Sequence, residues 1–115
     1  MKVVNRRLEK ETVYIGRGSV FGNPFVLSNT CSREQSIAEY ANYVSEEAQL
    51  SVLRAIYALP KDAVLGCYCK PLACHGDVII AIWEALHSLT KEELDAKRVL
   101  GIASIISRGY NEALA

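Results

Sequence analysis

The stretch Ala63-Val64-Leu65-Gly66-Cys67-Tyr68-Cys69, running on through Lys70-Pro71-Leu72-Ala73-Cys74-His75-Gly76-Asp77, decides the fold. Ala63–Cys69 is largely apolar, has no helical period and follows Lys61-Asp62, so it reads as a buried strand. Pro71 breaks the chain into a loop. Beyond it, Val78, Ile82, Ala85, Leu86 and Leu89 recur along one side of a predicted helix over Asp77–Leu89, with Trp83 close to that stripe. A buried strand feeding an amphipathic helix is the unit of an α/β domain.

Upstream, Ser32 and Gln35 fit a capping box, and Ile37, Tyr40, Ala41 and Val44 follow at helical spacing. A helix is predicted from Ser32 to Glu47. Leu50, Leu53, Ile56 and Tyr57 keep the same period over Gln49–Leu59 until Pro60 ends it. Lys2–Arg6 and Thr12–Ile15 are short and rich in β-branched residues, which predicts two strands, neighbours in the sheet. Downstream, Thr90 and Glu93 repeat the capping-box pattern and open a helix toward Arg98. Val99–Ser107 fits helix or strand, and is assigned to helix. The expected fold is α/β: a small mixed or parallel sheet of about three strands covered by helices, in one domain spanning 1–115.

Length and composition agree. A chain of 115 residues, half apolar and 23% charged, has the composition of one globular domain with its own core. Met1–Lys10 carries four basic residues and no apolar segment of the kind that marks a secretory signal. No apolar run is long enough to span a bilayer, so no membrane partner is expected and the protein is expected to be cytoplasmic. In that compartment four cysteines point to thiol chemistry or metal ligation ahead of disulfides. A net charge of zero argues against a protein that coats polyanions through its overall field. Residues 1–33 hold six basic against two acidic side chains, which leaves a local basic face open.

Two stretches carry candidate chemistry. In Tyr14-Ile15-Gly16-Arg17-Gly18-Ser19-Val20-Phe21-Gly22-Asn23-Pro24-Phe25, a strand runs into a loop with three glycines, whose amides can approach an anion closely. Gly16, Arg17, Gly18, Ser19 and Asn23 are the candidate ligand-binding residues. Arg17 offers a fork for phosphate or carboxylate, and Asn23 a donor and an acceptor edge suited to a base or ribose. The alternative is a tight turn in which Arg17 makes an internal ion pair.

In Cys67–Asp77, three thiols and an imidazole fall within nine residues. Cys67 and Cys69, two apart on a strand, share a face. Together with Cys74 and His75 they are a candidate set for tetrahedral zinc, although the spacing is not that of paired Cys-x-x-Cys ligands. On a second reading, Cys74, His75 and Asp77 stand at a helix start, where the positive end of the dipole favours thiolate and anions. Cys74 is then a nucleophile, His75 a general acid or base, and Asp77 a helix cap or a partner of the imidazole. A third reading makes Cys67 and Cys69 ordinary core residues. Cys31 is assigned to the core as a buried thiol, and His87 to filler.

These two motifs, Val13–Ser19 with Phe21–Phe25 and Leu65–Pro71 with Cys74–Asp77, resemble a family of small phage and bacterial proteins known as a domain of unknown function, DUF4326. The resemblance spans about residues 3–88 and leaves 90–115 as a helical C-terminal extension. It implies a compact α/β domain and no established reaction. The family often has Trp at the position of Phe21 and an aromatic residue at that of Tyr68. If both motifs leave the C-terminal ends of adjacent strands, Arg17, Asn23, Cys69, Cys74, His75 and Asp77 face one crevice. The expected ligand is then a nucleotide or nucleic-acid unit, held for hydrolysis or N-glycosidic cleavage. The alternative is a non-enzymatic interaction protein, a phage modulator of a host enzyme, with a structural Cys/His zinc clip.

Overall fold

A computed structural model describes residues 1–46 and 49–112. Three short strands, β1 (Lys2–Asn5), β2 (Val13–Tyr14) and β3 (Val64–Cys67), form a parallel sheet in the order β1-β3-β2. Val3 and Val13 both lie opposite Leu65. The central position of β3 follows from its sequence, because a strand flanked on both edges and covered on both faces reads as a near-continuous apolar run.

The expectation that β1 and β2 are neighbours is corrected: β3 lies between them. Both run parallel to β3, so the chain must return to the start of the sheet after β1. Residues 6–12 make that return across the face of β3. Arg6 N donates to Cys67 O at one end of the crossing and Thr12 N to Val64 O at the other, each at 2.9 Å. Gly66 makes the crossing possible, since a Cβ there would lie 2.4 Å from Glu11 Cβ. The Arg6 guanidinium closes the segment by pairing with Glu11 at 2.8 Å and lying over the Tyr14 ring.

The other face of the sheet meets the helices. Helix α1 (Arg33–Val44) begins at its expected cap, with Gln35 N donating to Ser32 Oγ, and ends at Val44 with Ser45 as its C-cap, short of the expected end at Glu47, which itself lies outside the described residues. Helix α2 (Leu50–Tyr57) follows, then β3 and α3 (His75–His87). Val78, Ile79, Ile82 and Leu86 of α3 pack with Tyr40 and Val44 of α1 and Leu53 and Ile56 of α2, all essentially inaccessible to solvent.

The Thr90–Glu93 capping box opens a single 3-10 turn, Lys91–Glu93, instead of the helix itself. The ambiguous Val99–Ser107 is helical, inside α4 (Ala96–Glu112). There the small residues Ala103 and Ser107, four apart, are buried against α1, and the Asn111 amide donates to Asn42 Oδ1 at 3.0 Å. Among the described residues, no helix is long and apolar enough to cross a membrane.

The crossing predicts that Gly66→Ala destabilises the protein by about 1–3 kcal/mol, because the added methyl overpacks against backbone-anchored atoms of Glu11. Urea denaturation measures this, and Glu11→Gly in the same chain should recover part of the loss.

Candidate functional site

Both motifs leave the C-terminal edge of the sheet, from the adjacent strands β2 and β3, and they border one cavity of about 470 Å³. Gly16, Arg17 and Asn23 line it from the first loop, and Cys67, Cys69, Cys74 and His75 from the second. Tyr14, Phe25 and Tyr68 give it aromatic walls.

The join between the loops is a hydrogen bond. His75, the first residue of α3, is buried, and its Nε2 lies 2.8 Å from the carbonyl of Ile15. A carbonyl accepts, so Nε2 carries the proton and Nδ1 has a free lone pair, 3.6 Å from Cys74 Sγ. Burial lowers the pKa of His75, which keeps the ring neutral. The ring also packs edge-on against Tyr40 at 4.9 Å. Tyr40 Oη donates to Phe21 O at 2.9 Å, and burial raises the phenol's pKa, so that donor stays protonated.

Helix α3 starts two residues before the Asp77 expected from periodicity, because its cap is Cys74. Cys74 Sγ accepts from Gly76 N at 3.4 Å, while Asp77 Oδ2 accepts from Cys74 N at 3.1 Å. Asp77 is thus the reciprocal half of a capping box, and both its oxygens also receive Lys70 Nζ, at 2.9 and 3.1 Å. Neither carboxylate oxygen is directed to the imidazole by these contacts. A thiol is a poor substitute for the oxygen that usually caps a helix, so its presence here calls for a second role.

That role involves Cys67, at the end of β3. Its sulfur lies 3.1 Å from Cys74 Sγ, and Cys69 N points at it from 3.5 Å. The two sulfurs are in hydrogen-bond contact. The Cys74 thiol donates to Cys67, whose pKa is lowered, and Cys74 in turn holds its proton more tightly. Cys69, half-buried, brings a third sulfur, so that all three lie within 4.8 Å of one another. Cys31 stands apart from this group and is half-buried, in place of the buried position expected of it. His87 stacks against Tyr57 and Trp83 at the far end of α3.

The remaining predicted ligand residues divide. Gly18 takes a positive φ of 90°, and Ser19 Oγ donates to Gly16 O at 2.7 Å; both shape the turn and neither lines the cavity. The amides of Ser19 and Gly22 are likewise spent within the turn. Asn23 reaches the cavity wall, but its amide is engaged: Nδ2 donates to Ser36 Oγ at 3.0 Å and Oδ1 accepts from Phe25 N at 2.9 Å. Arg17 is exposed on the rim and has no ion pair among the described residues.

Arg33 is a lining residue the sequence reading passed over. It bonds to Ala73 O at 3.1 Å and adds a second guanidinium to the cavity. A signal was present, since a cation in the first turn of a helix opposes the dipole and needs a compensating reason.

Fold and site together define a small α/β domain with a thiol-lined cavity at the carboxyl edge of a parallel sheet. The chain belongs to the family described as "Domain of unknown function (DUF4326)", whose sequence model matches residues 2–85. It is also similar to the "Uncharacterized 12.4 kDa protein in nrdA-td intergenic region" of Enterobacteria phage T4, with 33% identity over 82 residues that cover 70% of this chain and 75% of the relative. No solved structure matches the chain.

The two roles of Asp77 predict unequal mutant effects. Asp77→Ala should cost about 1–2 kcal/mol through the lost cap. Lys70→Ala should cost under about 1 kcal/mol, because it removes only a partly exposed ion pair. Chemical denaturation of both variants checks the difference.

Proposed function

We propose that the cavity binds a nucleotide, free or as a unit of nucleic acid. The observation that carries this reading is the convergence of Arg17 and Arg33 on one aromatic-walled cavity, with no carboxylate paired to either among the described residues. Guanidinium groups suit a phosphate, and the rings of Tyr14, Phe25 and Tyr68 suit the face of a base. The volume falls in the usual range for small-ligand sites, about 300–1,000 Å³, and the carboxyl edge of a parallel sheet is where open α/β folds hold ligands. Zero net charge favours local capture of a single unit over coating of a long polyanion.

Binding is better supported than cleavage. Asp77 is committed to the helix cap and Lys70, and Cys74 to Cys67, which leaves His75 Nδ1 as the unspent base of the three candidate catalytic groups. A second reading, docking of a host protein, draws support from Val26 and Leu27, exposed apolar residues on the cavity rim.

Equilibrium dialysis against a panel of nucleoside mono- and diphosphates tests the first reading. Arg17→Ala should weaken binding at least about tenfold, the value of one charge-assisted hydrogen bond, with an unchanged thermal midpoint because Arg17 is exposed. Failure of the native chain to bind any of the panel, or equal binding by the variant, would contradict it. Retention of one host protein without nucleotide binding would favour the second.

A further inference from the structure

We propose that Cys67, Cys69 and Cys74 form a three-thiolate site for a zinc-type divalent cation whose fourth coordination position opens into the cavity. This goes beyond nucleotide binding and does not depend on it.

The geometry supports the ligand set. Tetrahedral zinc holds thiolates at about 2.3 Å, which sets sulfurs about 3.8 Å apart. Here Cys67 and Cys74 are 3.1 Å apart and all three sulfurs fall within 4.8 Å, so shifts of up to about 1 Å bring them into place. Each sulfur has a distinct anchor: the end of β3, the following loop, and the cap of α3. Amides of Cys69 and Gly76 point at the sulfurs of Cys67 and Cys74. Such donors orient and stabilise coordinated thiolates, and core cysteines have no need of them. Binding exchanges the thiol protons for the cation, and the N-terminal end of α3 offsets part of the remaining negative charge.

The open fourth position follows from the neighbours. His75 Nδ1 lies 3.6 Å from Cys74 Sγ but outside the group in which the three sulfurs fall within 4.8 Å of one another, the bond of Nε2 to Ile15 fixes the ring there, and the Asp77 carboxylate is held by Lys70 and the helix cap. All three thiols border the cavity, so a water or a ligand donor atom can complete the shell from that side. Structural zinc is closed by four protein ligands, whereas an open position belongs to a centre that binds or polarises a ligand.

The test uses the full chain, purified reduced and without chelator, then titrated with zinc and with cobalt(II). The expected result is one metal per chain, with a cobalt spectrum of three-thiolate intensity. Cys69→Ser should weaken zinc binding at least about a hundredfold, while Cys31→Ser leaves it unchanged. His75→Gln, with folding confirmed by circular dichroism, should retain the metal. Three results would overturn the proposal: a folded, reduced native chain that takes up no metal, a Cys67–Cys74 disulfide forming in place of uptake, or loss of the metal from folded His75→Gln.

Discussion

The hydrogen bond from His75 Nε2 to the Ile15 carbonyl ties the site together. Ile15 is the residue at which β2 gives way to the glycine-bearing loop, and His75 is the first residue of α3. A buried carbonyl at a strand end needs a donor, and a buried imidazole needs an acceptor, so each satisfies the other's cost. Gly76 completes the join. Its missing side chain lets α3 sit against Val3 and Ile15, where a Cβ would come within 2.7 and 2.9 Å of their side chains. The two loops are thereby fixed as walls of one cavity, and the sulfurs of Cys67 and Cys74 come into contact at its base.

Much of this was legible in the chain. The apolar run before Cys67 and the stripe after Asp77 identified a buried strand and a helix, and the Ser32 cap fixed the start of α1, although the Gln35 side chain turns to Glu39 and leaves the reciprocal half of the expected capping box unmade. The α/β class and the family followed from the same residues. The order of strands did not. Two β-branched segments separated by a short charged stretch look like neighbours, and only the approach of Glu11 over Gly66 reveals that the connection crosses β3. An isolated glycine inside a strand pattern is a signal of such close approach.

The site was legible in its parts, less so in their roles. Periodicity alone started α3 at Asp77, because cysteine is not expected at a cap; the thiol holds that position while facing Cys67. Asn23 stood out as a polar residue in a glycine-rich turn, yet its amide staples that turn to Ser36 and Phe25. Arg33 was hidden because its sequence neighbours advertise a helix start, while its place in the site depends on what the fold brings opposite it, the Ala73 carbonyl and the cavity. Roles set by partners forty or sixty residues away leave little trace in local pattern.

The join between the two loops therefore depends on the tautomer of one buried ring. Nitrogen-15 NMR of the His75 imidazole in labelled protein at neutral pH reports it directly. The bond to Ile15 requires a protonated Nε2, shielded from exchange, beside an unprotonated Nδ1. A proton resident on Nδ1, or two nitrogens averaged by rapid exchange with solvent, would mean that the bond to Ile15 is absent and that the two loops are not held as one site.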